Sequence, residues 1–574
     1  MTSQPSGETA ASTPQRIGWA ILIVVTLYIC YFSHLGVIGF VGPDEPRYAW
    51  IARDMAETGD WVTPRLYGKP WFEKPPLLYW GGAIFFKLFG CSAPEVAARL
   101  PSAISALLAT LALAWLAWRT FGEECARWLL LLLPTSVGMI GFSHAAATDM
   151  PFAGMLTIAM VCAAVVLGLV AKNENMPILP RAPWLALILF GFFLGLAALA
   201  KGPAAIILSG GAIFFWAIFT KRWRDALRML HPVAIAAFCI TALPWYILCA
   251  RRNPDFFRVF IIEHNFKRYL TPEFQHVQPF WFYGPVVLVA MLPWTIAFLG
   301  AVIFAYQKLR FQKRPGHLAL LVLLQSVFCF LFFTISKSKL PGYILPAIPL
   351  VVLLLARTSS VAAFERSRTL RYWAIIAVFH FSFACLAFSF MSRITAYTSY
   401  PTANLAVALC VIFFLFALAN LFLWDAIGSD RLGRGTLPFY TAVGLVLPIL
   451  VAILLAPKLI PYFFLRDPSG KTIAREILSQ GISAKDLTVH RMSRGQHNSL
   501  NFYLREEISD WDSTHPRVGY LLWGGKDCKR IVSGAVSCAE PPIYLQSSDR
   551  FLYRVTPAPS LDRLGDGRKP KQEE

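Results

Sequence analysis

The chain has 574 residues, of which 56% are hydrophobic and 15% charged. That balance excludes an ordinary soluble enzyme. The formal charge of +20 would suit a nucleic-acid partner, but no basic tract interleaved with stacking aromatics occurs in a water-soluble segment, so no nucleic acid is expected.

Residues 1–16 are rich in Ser, Thr and Pro and are expected to be disordered. From residue 17 onward, apolar runs of about 20 residues recur, the length a helix needs to cross a bilayer. They lack the alternation of a barrel strand, and in lipid the backbone must satisfy its own hydrogen bonds, so they are read as helices. About thirteen such spans are expected, near 17–40, 96–118, 125–142, 150–170, 184–200, 204–220, 231–250, 280–304, 317–335, 341–356, 372–391, 403–424 and 436–456. The first is too long for the apolar region of a cleaved signal, and no small-x-small site follows it.

Lys221, Arg222, Arg224 and Arg228 fill one short connection, Lys308, Arg310, Lys313 and Arg314 the next alternate one, and Arg357, Arg366, Arg368 and Arg371 continue the series. Positive loops stay in the cytoplasm. The amino terminus is then inside and, with an odd number of spans, the tail outside.

The connection 41–95 is too long to be structureless. From Glu45, apolar side chains recur at Tyr48, Ile51, Ala52 and Met55, with Arg47, Asp54 and Glu57 off that stripe, which predicts an amphipathic helix lying on the interface. A second helix is expected after Pro75-Pro76, from Leu77 through Phe89. Beyond 456 the composition turns polar. Residues 457–559 read as a small α/β domain, with a helix from Ser469 to Gln480 and strands at Leu487–Met492, Val518–Trp523, Ile543–Gln546 and Phe551–Val555; residues 560–574 read as a disordered tail. Most of the 11 cysteines lie in apolar runs. Cys528 and Cys538 lie in the tail, where an oxidising compartment would allow a disulfide without requiring one.

Asp44 and Glu45 follow the first span directly. An acid before a helix caps exposed amides and suits the positive end of the dipole, and Pro46 fits a first turn; one acid suffices for that, and the second is left over. Asp149 stands between two apolar spans on the same expected side, a depth at which an ionisable group points to function, although capping is again the alternative. Asp44 and Asp149 together could hold a divalent cation or provide a base. Cations gather in the same set of loops: Lys74 beside Glu73, Lys201, Lys337 and Lys339 near Tyr343, and His264 with Lys267 and Arg268. Singly, each lysine is read as snorkelling. As a group they suit an anionic lipid phosphate.

Taken together, Asp-Glu-Pro-Arg-Tyr (44–48), Gly-Asp-Trp-Val-Thr-Pro (59–64), Phe-Glu-Lys-Pro-Pro (72–76), Thr-Asp-Met-Pro (148–151) and Ala-Lys-Gly-Pro (200–203) resemble the aminoarabinose transferase family. So do Glu-His-Asn-Phe-Lys-Arg-Tyr (263–269), Gln-His-Val-Gln-Pro-Phe-Trp-Phe-Tyr (275–283) and Ser-Lys-Leu-Pro-Gly-Tyr-Ile-Leu-Pro (338–346). These are bacterial relatives of protein O-mannosyltransferases within the GT-C superfamily. The resemblance implies a mainly α polytopic membrane domain over 17–456 with 13 helices, interfacial helices in the first periplasmic loop, and a periplasmic α/β tail. It implies an inverting transfer of 4-amino-4-deoxy-L-arabinose or a similar sugar from undecaprenyl phosphate to lipid A or a related glycolipid, in the bacterial inner membrane. It implies catalytic roles for Asp44, Asp149 and Glu73, and lipid-phosphate contacts from Arg47, Lys74, Lys201, His264, Arg268, Lys339 and Tyr343. Gly342 stands where close relatives are expected to carry Thr. A protein hydroxyl as acceptor is the rival enzymatic reading. A lipid-linked sugar transporter ranks below both, because the charges sit at span ends and no inverted repeat shows.

Overall fold

The computed structural model describes residues 13–90, 92–170, 184–271, 277–311, 316–362, 437–463, 469–528, 532, 536–545 and 549–557. The chain divides into two compact units. The first comprises the amino-terminal stretch to Leu35, Ala52–Arg65 and Pro70–Tyr462; the second comprises Gly36–Ile51, Leu66–Lys69 and the chain from Phe463 onward. The second unit thus resumes at Phe463, where the sequence reading puts a change of character at 457, and it takes in part of the first loop.

The first unit is a helical bundle and the chain a multi-pass membrane protein. Eight described helices are long and apolar enough to span a bilayer, or ten when each of two bent pairs counts as one span. The expected spans 372–391 and 403–424 lie outside the described residues. The opening helix runs Thr13–Tyr31, so it begins within the stretch expected to be disordered and stops short of residue 40. Its end is closed by the Ser33 hydroxyl, which donates to the Ile29 carbonyl at 2.6 Å, one of the carbonyls a helix terminus leaves without a partner. Asp149–Val166 is apolar on every face and buried on every face: Phe152, Leu156, Ala159 and Ala163 are fully enclosed, as expected of a helix with no polar side. Small residues let its neighbours approach. A Cβ on Gly154 would lie 2.7 Å from the Ser105 carbonyl oxygen, and one on Gly191 2.1 Å from that of Ala234, the close contact that drives helix association in lipid.

Both bent spans break at proline. Glu123–Leu132 and Val137–Ser143 meet at 62°, Tyr283–Ala290 and Thr295–Ile303 at 115°. Pro134 and Pro293 cannot continue a helical ladder, and the freed groups find partners. The Ser136 hydroxyl donates to Leu132 O at 2.7 Å and that of Thr135 to Leu131 O at 2.5 Å. The two breaks also bond each other: Val137 N–H to Leu292 O at 2.8 Å, and the Trp294 indole N–H to Thr135 Oγ1 at 3.0 Å. Irregular backbone at this depth survives only where protein encloses it.

The helices expected in the first loop are present, at Glu45–Thr58 and Leu77–Phe89. Tyr48, Ile51, Ala52 and Met55 are buried as the stripe requires, but so are Arg47 and Arg53. The helix therefore buries two arginines besides its apolar stripe. In the first unit Ala52 presses on Gly82, whose added Cβ would lie 2.8 Å from it. Asp60 anchors the stretch between the two helices. Its carboxylate accepts from the Val62 and Thr63 amides at 3.0 and 3.2 Å and from Arg65 and Arg252 at 3.2 Å each.

The second unit is a mixed five-stranded sheet. In spatial order its strands are Ser509–Asp510, Leu487–Val489, Gly519–Trp523, Arg550–Pro557 and Val536–Leu545. The first three run parallel and the last two pair antiparallel. The expected helix is Lys471–Ser479, with Ser469 Oγ accepting from the Lys471 amide at 3.2 Å and Gly481 in the left-handed region at φ 68°. A second helix, Arg494–Leu504, and the edge strand at 509 were not evident in the sequence pattern. That helix holds the start of the first loop: Phe40 packs edge-on against Phe502 at 4.7 Å, and its backbone bonds Tyr503 and Ser499. Cys528 and Cys538 form a disulfide, their Cα atoms 6.3 Å apart.

Candidate active site

Asp149 opens one long helix and Lys201 closes the next, Trp184–Lys201. Antiparallel packing of the two brings their ends together. Asp149 Oδ1 lies 2.5 Å from the Lys201 ammonium, with side-chain exposures of 21% and 11%. The carboxylate thus serves an ion pair rather than the helix amides. Gly202, at φ 80°, turns the chain sharply after Lys201, a conformation glycine adopts without strain. The ammonium also stands 4.4 Å from the centre of the Tyr343 ring and 5.6 Å from that of Phe152, positions that favour a cation over an aromatic face. Next to Tyr343, Gly342 leaves the space that Asp149 occupies: a Cβ there would lie 2.6 Å from the Asp149 carboxyl carbon and 2.8 Å from Phe142.

A second cluster in the same unit joins Glu73, Lys74, His264 and Arg268. Pro75-Pro76 stiffens the turn that carries the first two, and Phe72 anchors it edge-on against Phe256 at 5.4 Å. The other two come from a π-wound turn, Arg258–Lys267, and the short helix after it; such winding often marks a functional segment. Glu73 Oε1 lies 3.5 Å from the Lys74 ammonium and 3.3 Å from the Arg268 guanidinium, and all three side chains are at most 14% exposed. Burial lowers the His264 pKa below 6.5, with Lys74 and Arg268 adding to the effect and Glu73 opposing it. The imidazole is therefore neutral at pH 7.

The strap Ser336–Leu340 supplies a third basic group. Lys339 donates to the Gln278 carbonyl at 3.1 Å, while the Lys337 amide bonds Tyr269 O at 3.0 Å. Burial and the neighbouring Lys337 lower the Lys339 pKa from its ordinary 10.5.

Asp44, Glu45 and Arg47 belong to the second unit. Arg47 bonds the Asp44 carboxylate and donates through Nε to Pro43 O at 2.8 Å. Glu45 accepts from the Val41 amide at 3.0 Å. The capping role considered for Asp44 is thus replaced by an ion pair. Neither Asp44 nor Asp149 is arranged as a metal ligand, since each faces a basic partner that competes with a dication. Among the described residues no group of three His, Cys, Asp or Glu side chains converges as a metal site requires.

Sequence reasoning picked out these acids and cations but missed the need for a bare backbone at 342, legible only as a departure from the family pattern. It also read nothing into Asp60, whose role is to anchor the loop.

Residues 18–260 match the family model described as dolichyl-phosphate-mannose-protein mannosyltransferase. Curated relatives include the undecaprenyl phosphate-alpha-4-amino-4-deoxy-L-arabinose arabinosyl transferase of Erwinia tasmaniensis, 31% identical over 64% of this chain and 64% of that protein. The enzyme of the same name from Pseudomonas aeruginosa is 33% identical over 59% of each chain. The match thus spans less than two thirds of these relatives' length. Among solved structures, ArnT from Cupriavidus metallidurans bound to undecaprenyl phosphate covers 94% of this chain and 98% of its own, at a TM-score of 0.68 and 24% identity. The chain shares its fold. In its apo state that protein superposes at a TM-score of 0.70.

Proposed function

We propose that the chain is an inverting glycosyltransferase that moves 4-amino-4-deoxy-L-arabinose from undecaprenyl phosphate to a lipid A phosphate on the periplasmic face of a bacterial inner membrane. The observation that carries this reading is the buried group of basic side chains, Lys74 and Arg268 on Glu73, Lys201 on Asp149, and Lys339, on a fold shared with a protein solved bound to undecaprenyl phosphate. An acceptor oxygen forms a bond to the anomeric carbon while the bond from that carbon to the undecaprenyl phosphate oxygen breaks, its electron pair staying on the phosphate. Fixed cations stabilise the charge that develops on the departing phosphate monoester. Lys74 and Arg268, held by Glu73, are assigned to it, with His264 beside them and Lys339 as a further donor. Lys201, oriented by Asp149 and Tyr343, is the cation assigned to the reacting sugar phosphate.

The acceptor decides what the carboxylates do. A lipid A phosphate is already anionic and needs no base, so Asp149 works by placing Lys201. A protein hydroxyl, with a pKa near that of water at about 15.7, would need a general base. The mannosyltransferase family model over residues 18–260 keeps that second reading in view. Mass spectrometry of lipid A from cells with and without the gene separates the two: loss of the aminoarabinose mass supports lipid A as acceptor, whereas unchanged lipid A beside altered glycoproteins sinks it. Asp44, ion-paired with Arg47, is likewise assigned to positioning rather than to proton transfer. Asp44→Asn is expected to cut transfer about tenfold to hundredfold while the protein still inserts and accumulates; full activity would remove that assignment.

A further inference from the structure

The helix Arg494–Leu504 turns one stripe of side chains toward the start of the first loop. Gly495, Asn498, Ser499, Phe502 and Tyr503 recur at the three- and four-residue spacing that shares a helix face. Tyr503 accepts from the Phe40 amide at 3.1 Å, Ser499 donates to the Phe40 carbonyl at 2.9 Å, and Phe502 packs on the Phe40 ring. Nearer its amino end the same face meets the residues just before the acid. Asn498 Nδ2 donates to the Pro43 carbonyl oxygen at 3.2 Å, and a Cβ on Gly495 would stand 3.1 Å from the Gly42 carbonyl carbon. All of these residues belong to the second unit.

The Pro43 carbonyl is part of the peptide that leads into Asp44. It takes a further hydrogen bond from Arg47 Nε at 2.8 Å, and the same guanidinium bonds the Asp44 carboxylate. Asn498 and Arg47 thus share one peptide oxygen and together set the direction in which Asp44 leaves the turn. Asn498 is itself oriented. Its Oδ1 faces the Tyr67 hydroxyl at 3.5 Å, and that hydroxyl accepts from Asn501 Nδ2 at 3.2 Å. The Phe40 contacts would suffice to fasten the loop. The grip at Gly42 and Pro43 acts instead on the peptide carrying the acid, whose side chain stays 45% exposed. We infer that Asn498, with Gly495 permitting the close approach, is a positioning residue for Asp44, which makes the carboxy-terminal unit a working part of the transferase. This rests on the glycosyltransferase reading above and on the part assigned there to Asp44.

The test uses purified full-length protein with Asn498→Asp, which keeps the shape and loses the donor, and with Gly495→Ala. Ile477→Val, which loosens the core of the tail, is the control. Hydrogen exchange at the Val41, Gly42 and Asp44 amides is read beside kcat, the thermal midpoint and binding of undecaprenyl phosphate. Both variants are expected to speed that exchange and lower kcat about tenfold, the worth of one hydrogen bond, with lipid binding unchanged. Ile477→Val should lower the midpoint yet leave kcat and the exchange at those amides as they were. In an Asp44→Asn background, Asn498→Asp should cost little more. Unchanged exchange, unchanged kcat, an equal loss of kcat in the control, or additive losses overturn the inference. No transfer by the unmodified protein, or full transfer by Asp44→Asn, overturns the reading beneath it instead and takes this assignment with it.

Discussion

Asp149 can press against the Lys201 ammonium because position 342 carries no side chain. The carboxylate fills the place a Cβ would take, 2.6 Å away, with Phe142 closing the other side. Gly342→Ala is therefore expected to push Asp149 off Lys201 and lower transfer about tenfold, and Asp149→Asn to lower it further, about hundredfold, because the amide leaves Lys201 without its counter-charge. In the double variant the alanine should cost little more, as the contact it disturbs is already lost. Additive losses, measured by initial rates of transfer, would sink the account of Gly342 as a device for placing Asp149.

At the scale of elements, the broken spans and the first loop are held by polar side chains at defined points. Thr135 spends its hydroxyl twice, donating to Leu131 O and accepting from the Trp294 indole. Thr135→Val keeps the shape but strands that indole N–H, at an expected cost of about 1–3 kcal/mol; a chemical or thermal unfolding series in detergent measures it. Asp60 does the same for the loop between Glu45–Thr58 and Leu77–Phe89. Burial would raise its pKa, but the Val62 and Thr63 amides and Arg65 outweigh that and hold it below the ordinary 3.8. A carboxyl depressed by folding adds stability that is fully present above its unfolded pKa and lost as pH falls through the folded one. Hydrogen exchange of residues 60–65 is thus expected to accelerate as pH drops below about 4, after correction for intrinsic rates. With Asp60→Asn that acid-dependent step should vanish, and its persistence would assign the anchor to another group.

At the scale of the whole molecule, the basic connections and the cysteines make linked demands. Arg222 and Arg228 flank Asp225 in one of the connections expected to be cytoplasmic; with an odd number of spans, that expectation puts the amino terminus inside and the tail outside. The disulfide between Cys528 and Cys538 suits an oxidising exterior. Thiol labelling of unreduced protein from cells should therefore leave both cysteines unmodified, and Cys528→Ser with Cys538→Ser should destabilise the tail unit by about 2–3 kcal/mol. A carboxy-terminal alkaline phosphatase fusion should be active; an inactive fusion beside freely labelled thiols would reverse the orientation.

Sequence alone determined the helical class, most span positions and the two loop helices, because length, hydropathy and period are local properties. The helix Arg494–Leu504 escaped it, since Arg-Gly-Gln-His-Asn-Ser carries no apolar period and gains its stability from packing on Phe40. Only the tertiary structure decided which acid meets which base. Asp149 and Lys201 lie 52 residues apart, and Glu73 and Arg268 195, separations no local pattern encodes. It also paired Asp44 with Arg47 and Asp149 with Lys201, where the sequence had left capping open as an alternative. That the first loop belongs in part with the tail unit follows from contacts more than 400 residues apart, such as Phe40 with Tyr503, which only a folded chain can form.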